Sequence, residues 1–336
     1  MLDRREGQTT ASFWYDRNVF ITGCDGFLGS WLSQALCEAG ANVIGLVRNK
    51  VAAKMPLLES GSRRQVKRIQ GNVEDFETVL GIMNEHEVDT VFHLAARATV
   101  GGAFQYPLTT FETNIKGTWN VLESSRQTAS VKRVIVASSD RVYGRSTELP
   151  YDESAPLLGV FPYEVSKTCA EHLCACYFHS FQLPVAVTRC SNLYGGGDWN
   201  GSRLIPGTIR SVMGGRSPVI RSDGSACRDY LYMEDAVDAY LCLAEKMEQQ
   251  KLFGETFNFC TDSPISVRQL VKQILDLMRC QLEPVILNEA SNEIKKMALT
   301  ARKARTLLGW RPKHTLEQGL IKTIAWYSKA PEKEKG

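Results

Sequence analysis

At 336 residues, 43% hydrophobic and 23% charged, the chain is long enough for one large or two modest domains with a full hydrophobic core. A net charge of +3 is too small to argue for nucleic acid or an anionic membrane as partner. No apolar run approaches a membrane span, and the polar start Met1-Leu-Asp-Arg-Arg-Glu-Gly-Gln8 lacks a signal peptide's apolar core, so a cytoplasmic location is expected.

Ten cysteines fall singly along the chain, with Cys174 and Cys176 the one close pair. There is no Cys-x-x-Cys and no histidine at zinc spacing, so no metal is expected. Most of the cysteines read as small buried hydrophobes in a reducing compartment.

Residues 1–16 are polar and read as a flexible tail, with Phe13-Trp14-Tyr15 available to pack on a domain edge. Asn18-Val-Phe-Ile-Thr22 is a short β-branched apolar run, the pattern of a strand buried on both faces. It leads into Gly23-Cys-Asp-Gly26-Phe-Leu-Gly29 and then a helix closed by Gly40. Strands follow at 41–47, 65–70, 90–94, 133–137 and 185–189. Between them lie helices at 73–87, in one or two pieces over 104–128, and from Tyr163 onward. This alternation predicts an α/β, Rossmann-type doubly wound parallel sheet.

After Asn192 the rhythm changes. A glycine-rich turn, Tyr194-Gly-Gly-Gly-Asp-Trp199, is followed by a helix at 203–213, short strands at 218–220 and 228–232, and a helix at 234–249. A strand at 255–259, helices at 267–279, 301–308 and 316–329, and a strand at 283–287 complete the chain. The expected division is a dinucleotide-binding domain over 17–193 with a returning segment near 229–260. A smaller mixed α/β substrate domain takes 194–228 and 261–329, and a charged disordered tail takes 330–336.

Gly23, Gly26 and Gly29 lie between a buried strand and a helix, the context in which a glycine triplet carries meaning. One allows a tight turn, one lets the backbone approach a pyrophosphate, and one lets helix and strand pack closely. The pyrophosphate would meet unpaired N–H groups at the helix's positive end. An acidic residue after the second strand would favour NAD; this chain has Val47-Arg48-Asn49 instead. Arg48 could pair with the 2′-phosphate of NADP, stack on adenine, or be a solvated surface residue, which leaves NAD and NADP both open.

The strand at 133–137 delivers Ser138, Ser139, Asp140 and Arg141 to its carboxyl end, where open α/β sheets bind ligands. Tyr163 and Lys167 stand four apart at a helix start, on one face. An ammonium beside a phenol favours the phenolate, so the pair is a candidate for proton transfer, with Lys167 expected to lower the Tyr163 pKa.

With these motifs in order, the sequence resembles the extended short-chain dehydrogenase/reductases over almost its whole length, from Asn18 to Tyr327. The resemblance includes Phe92-His-Leu-Ala-Ala96, Asn114-Ile-Lys-Gly-Thr-Trp-Asn120, Arg189-Cys-Ser-Asn-Leu-Tyr-Gly195, Arg228-Asp-Tyr-Leu-Tyr-Met-Glu-Asp235 and Leu308-Gly-Trp-Arg-Pro312. Within that family it looks most like the nucleotide-sugar 4,6-dehydratases, because Ser139 is followed by the acidic Asp140. Phe13-Trp14, Gly29-Ser-Trp-Leu-Ser33 and Gly195-Gly-Gly-Asp-Trp199 are similar to the CDP-glucose branch, and Val47-Arg48 to the GDP-mannose branch.

The resemblance implies a tightly bound NAD or NADP, recycled within the reaction, and a nucleotide-sugar substrate. It extends the cofactor site to Asp25, Phe27, Leu28, Asn72, Val73, Leu94, Ala95 and Ala96. The substrate set becomes Ser138, Ser139, Asn192, Arg203 and Arg228. It also implies a sequence of steps: Tyr163 and Ser139 act at the C4 hydroxyl, Lys167 holds the nicotinamide ribose, and Asp140 protonates the departing C6 hydroxyl. Arg141 departs from the pattern, since many dehydratases carry a glutamate there and the CDP-glucose enzymes a lysine. A permanent cation is a poor base, so the group that takes the C5 proton stays unassigned.

His93 follows a buried-strand pattern and reads as a core histidine. Asp198 and Trp199 read either as nucleotide-side residues or as a loop tip. A homodimer through the Asn114 and Tyr163 helices is expected from the resemblance. Two other readings stay open: a 4-epimerase of UDP-sugar type on the same Ser139/Tyr163/Lys167 core, and a non-catalytic dinucleotide-binding sensor, which would need neither Tyr163 nor Lys167.

Overall fold

A computed structural model describes residues 13–49, 65–145, 148–289 and 294–330. Its strands run in chain order β1 (Asn18–Thr22), β2 (Asn42–Val47), β3 (Lys67–Gln70), β4 (Thr90–His93), β5 (Arg133–Ala137) and β6 (Val185–Cys190). They continue as β7 (Asn192–Tyr194), β8 (Val219–Ile220), β9 (Cys227–Arg228), β10 (Tyr230–Tyr232), β11 (Thr256–Phe259), β12 (Ile265–Ser266) and β13 (Val285–Ile286).

Seven of these form one sheet in the order β11-β6-β5-β4-β1-β2-β3. Every neighbouring pair is parallel, as expected from strands that alternate with crossover helices. β4 is buried throughout and β1 in all but its first residue, because helices cover both faces of the sheet. From β1 the chain moves outward to β2 and β3, then returns across the sheet to β4. Strand order therefore reverses between β1 and β4, and the crevice outside their carboxyl ends is where such sheets bind ligands.

The remaining strands form three two-stranded ladders, β10 with β7, β12 with β9, and β13 with β8. The run read as one strand over 228–232 is two, because Asp229 interrupts it. Its buried carboxylate accepts from Ser191 Oγ (2.9 Å), Thr261 N (3.0 Å), Thr261 Oγ1 (2.8 Å) and Ser263 N (2.9 Å). One residue thus ties β6, β7 and the loop after β11 together, and it turns the chain between β9 and β10.

The segment read as one or two helices over 104–128 is broken further. Helices at Val100–Gln105 and Pro107–Phe111 meet at Pro107, which cannot donate to the preceding turn. A π-helical turn, Glu112–Lys116, then opens into the Gly117–Gln127 helix. Asn114 sits in that π turn and uses its amide fully: Oδ1 accepts from Arg97 N at 2.7 Å, and Nδ2 donates to Arg97 O at 3.3 Å and Ser166 Oγ at 2.9 Å.

At the N-terminus, residues 1–12 of the expected tail lie outside the described residues, but Phe13 and Trp14 are packed while Tyr15 and Asp16 stay exposed. Trp14 is fully buried and its Nε1 donates to Glu245 Oε1 at 2.7 Å, so a large indole finds both its apolar surroundings and its polar partner. Residues 331–336 of the C-terminal tail also lie outside the described residues. All ten cysteines are free thiols; Cys24, Cys37, Cys174 and Cys260 are buried, and Cys176 is exposed. Among the described residues no helix is long and apolar enough to cross a membrane.

Candidate active site

A cavity of about 990 Å³ opens at the carboxyl ends of β1, β4, β5 and β6. Drug-sized ligand pockets run to about 1,000 Å³, so the cavity has room for an extended ligand or for two.

Its first wall is the turn after β1. Gly23 has φ +72°, and a Cβ there would stand 2.9 Å from Ala95 N; one on Gly29 would stand 2.0 Å from Gly23 O. Neither position tolerates a side chain, so the chain passes close beneath the β4 end and the helix packs directly on the turn. The Phe27–Glu38 helix starts here with no acidic residue in its first turn and no side chain capping it. Gly26, Phe27, Leu28 and Gly29 all line the cavity, which leaves a positive helix end facing it. These are the requirements of a dinucleotide pyrophosphate, and the residues fit that group.

The second wall is the end of β5. Ser139 is the N-cap of a single 3₁₀ turn, Asp140–Tyr143; its Oγ accepts from Arg141 N at 3.2 Å and donates to Asp140 Oδ1 at 3.1 Å. The turn carries Asp140 inward. Its carboxyl is only 5% exposed, and burial pushes its pKa up, against the lowering pull of Arg141, the Ser139 hydrogen bond and Arg228.

The third wall is the Pro162–Phe181 helix. Pro162 opens it, and Glu164 reaches back to accept from Val160 N (2.9 Å) and Phe161 N (3.1 Å), closing the helix start where Tyr163 must be held. Lys167 Nζ donates to Ala137 O at 2.7 Å, bridging helix and β5. Burial drives the Lys167 pKa down to about 8.

The Tyr163 pKa is raised, contrary to expectation. Burial outweighs everything else, the Ser139 hydrogen bond lowers it next, and the Asp140 carboxyl adds to the rise. Lys167 is directed at the Ala137 carbonyl, and Ser139 is the phenol's immediate hydrogen-bonding partner.

The fourth wall comes from β7, β9 and the Leu204–Met213 helix. Asn192, Arg203 and Arg228 line it, and so does Arg221, which sequence reasoning missed. With Arg141 and Lys167, the lining among the described residues carries five cationic side chains against the two carboxylates Asp140 and Asp198, a balance suited to an anionic ligand. Asn192 Nδ2 donates to Asp229 O at 3.2 Å, so the Asp229 hub also sets this wall. Asp198 is buried and committed: Oδ2 accepts from Arg203 Nη1 at 3.0 Å and Oδ1 from Asn200 N at 3.1 Å. Trp31 Nε1 donates to Gly196 O at 2.9 Å, which fastens the glycine-rich turn to the first helix.

Of the other expected residues, Leu94 and Ala96 line the cavity, and Asp25, Arg48, Asn72, Val73 and Ala95 do not. Asp25, Arg48 and Asn72 are exposed. Val73 is buried and its carbonyl accepts from Asn120 Nδ2 at 3.0 Å, while Ala95 N donates to Thr22 Oγ1 at 3.2 Å beneath the glycine turn. Residues 50–64, which follow the Arg48 corner, are outside the described set.

His93 is buried with both ring nitrogens bonded, Nδ1 to Thr22 Oγ1 at 2.8 Å and Nε2 to Thr118 Oγ1 at 3.0 Å. Thr118 Oγ1 donates to Asn114 O at 2.6 Å, so Nε2 carries the proton and Nδ1 accepts. Burial lowers its pKa to about 3, and the ring is a neutral core group. Among the described residues no three His, Cys, Asp or Glu are grouped to hold a metal.

The protein-family model for GDP-mannose 4,6 dehydratase matches residues 20–323. The chain is 31% identical to the CDP-glucose 4,6-dehydratase of Salmonella typhimurium, over 94% of this chain and 92% of that one. It superposes on the dTDP-glucose 4,6-dehydratase of Bacillus anthracis, solved with NAD, at a TM-score of 0.82 and 26% identity, covering 93% of this chain and 97% of that one. The UDP-glucose 4-epimerase of Thermotoga maritima, solved with UDP-glucose, gives 0.86 at 30% identity, covering 93% and 99%.

Proposed function

We propose that this chain, which belongs to the GDP-mannose 4,6 dehydratase family, is an NAD(P)-dependent nucleotide-sugar 4,6-dehydratase with an extended short-chain dehydrogenase/reductase fold. It would convert a nucleoside-diphosphate hexose into the 4-keto-6-deoxy sugar and water. The observation that carries this reading is the buried Asp140 carboxyl, its pKa raised, lining the same cavity as Ser139 and Tyr163.

A nicotinamide dinucleotide, its pyrophosphate on the glycine turn and its ribose beside Lys167, would supply the hydride acceptor and donor for this chemistry. Tyr163 takes the C4 hydroxyl proton through its phenol oxygen, and Ser139 hydrogen-bonds the same oxygen as it becomes a carbonyl. Lys167, bridged to Ala137 O, keeps a positive charge near the developing oxyanion. The C4 ketone acidifies the C5–H bond. As a base takes that proton, to be replaced at C5 when C6 is reduced, Asp140 protonates the C6 hydroxyl, which departs as water and leaves a C5–C6 double bond conjugated to the ketone. Arg141 bears its charge beside Asp140 and suits the enolate, not the base role. Asn192, Arg203 and Arg228 clamp the diphosphate, guanidinium planes matching paired phosphate oxygens.

Product mass tests the assignment. Offered CDP-glucose, GDP-mannose and dTDP-glucose in turn, the protein is expected to release from one of them a product lighter by one water. A product of unchanged mass from a UDP-sugar, with none dehydrated, would replace the reading with 4-epimerisation, the activity named for the Thermotoga relative.

The protein is further proposed to be a homodimer that pairs the Asn114 and Tyr163 helices of two copies. Phe104, Leu108, Trp119 and Phe181 on and beside these helices are 70%, 69%, 43% and 53% exposed, a concentration of apolar surface that a second copy would cover. Sedimentation at micromolar concentration is expected to give twice the chain mass, and Trp119→Glu to halve it; a wild-type monomer would exclude this pairing.

A further inference from the structure

Tyr163 and Lys167 are two members of a longer stripe. Glu171 follows one turn on, and its carboxylate is bound from two other directions. Ser138 Oγ donates to Glu171 Oε1. Arg189, from β6, donates Nε to Oε1 at 2.9 Å and Nη2 to Oε2 at 2.5 Å, a planar two-point grip. Arg189 is itself fixed, donating Nη1 to Tyr143 Oη at 2.8 Å and Glu153 O at 3.3 Å. Glu171 and Arg189 are 7% and 5% exposed.

We propose that Glu171 is a positioning residue of this site: it holds the strand end at Ser138 and, one turn beyond Lys167, keeps the lysine ammonium charged, with Arg189 as its anchor. The inference deepens the reading above, in which Lys167 serves as a cation beside the reacting oxygen.

The end of β5 is clamped to the helix at two consecutive residues, Ala137 O by Lys167 and Ser138 Oγ by Glu171. These are the residues directly before Ser139, so the clamp sets where the 3₁₀ turn begins. A purely structural ion pair would be satisfied by Arg189 alone; the Ser138 bond and the spacing from Lys167 tie this one to the site.

Electrostatics agrees with the geometry. Burial lowers the Lys167 pKa, and Glu171 is the main opposing influence. The other groups around Lys167 cannot replace it. On its own helix the Cys174 thiol and the Tyr163 phenol are both driven up by burial and stay neutral. His93 on β4 is neutral, and β5 contributes only the Ala137 carbonyl and Ser138 hydroxyl. Arg189 on β6 lies beyond Glu171 and acts by sharing its charge.

The test reads Lys167 itself. The whole protein is acetylated with trace acetic anhydride across a pH series, without substrate, and the Lys167 peptide is quantified by mass spectrometry. The wild-type midpoint is expected near 8. Glu171→Gln is expected to lower it by about one pH unit or more. Glu171→Asp, which keeps the charge, should bring it back toward wild type. Arg189→Gln, which frees the carboxylate, should raise it. If either neutral single variant fails to fold by circular dichroism, the double variant E171Q/R189Q, whose amides can pair, carries the same downward expectation. Equal midpoints in wild type and variants would overturn the proposal and leave a structural ion pair. Because no substrate enters the assay, that result is separate from any failure of the protein to dehydrate a nucleotide sugar.

Discussion

Tyr163→Phe is expected to lower turnover by about 10²–10⁴-fold, the usual scale for a positioned acid–base group. The substitution removes one oxygen from a buried ring and adds nothing to the packing. Tyr163 is 8% exposed, and the hydrogen-bonding partner of its hydroxyl is the neighbouring Ser139 of the site, so the variant should fold. The glycine turn, the helix end and Lys167 are untouched, and the affinity for NAD or NADP, measured by calorimetry, is expected to change little. The pH profile should follow as well. Burial raises the phenol's pKa, so the phenolate is the scarce form near neutrality, and the C4 oxidation step is expected to quicken as pH rises. Unchanged turnover in the Tyr163→Phe variant would remove Tyr163 from the reaction.

Asp140→Asn is expected to separate the two halves of the chemistry. The amide keeps the size of the carboxyl and a hydrogen-bonding oxygen for Ser139, so proton transfer at C4 by Tyr163 should continue. It cannot protonate the C6 hydroxyl, and water loss should fall by about 10²-fold or more. The undehydrated 4-ketohexose is then expected to build up to one equivalent of the cofactor it has reduced, and it can be trapped with borodeuteride as two C4 epimers carrying deuterium. The wild-type pH dependence has a definite sign. The folded Asp140 pKa lies above the ordinary value of 3.8, so the protonated acid persists to higher pH than in an exposed aspartate and is lost as pH climbs through the raised value. Dehydration should therefore fade as pH passes the raised Asp140 value, while C4 oxidation, favoured by the phenolate, does not. Wild-type dehydration by D140N would move the acid role to another group.

Within the described lining, Asp198 is the other carboxylate, and Arg203 and the Asn200 amide already claim it. That commitment is the reason the acid role is proposed for Asp140. It also explains why Asp198 could not be placed from sequence: a loop aspartate beside glycines reads the same whether it faces a ligand or binds its own neighbours.

Much of the fold was written locally. The β-branched run before Gly23 and the helix pattern after Gly29 are consecutive residues obeying short-range rules, so the strand–turn–helix could be read without knowing the rest of the chain. The same holds for Ser139-Asp140 at a strand end and for Tyr163 and Lys167 one turn apart. The repeated alternation implied a parallel sheet, and the sheet places these pieces on one crevice. What failed locally did so for a long-range reason. The single strand expected at 228–232 is split by an aspartate whose partners lie at 191, 261 and 263. Trp14, read as available to pack on a domain edge, could be given no partner from sequence because that partner, Glu245, is 231 residues away.

The stretch around Tyr163 and Lys167 shows the division most clearly. By itself the sequence determined which residue types stand at the strand end and along the helix face, because spacing on a helix is a covalent fact. The tertiary structure alone decided their protonation behaviour. Burial reverses the shift that the Tyr163–Lys167 spacing suggests, raises Asp140 toward its acid form, and brings Arg189 from a different strand to pair with Glu171 beside Lys167. Desolvation depends on everything packed around a group, and in this chain most of what surrounds the site arrives from segments distant in sequence.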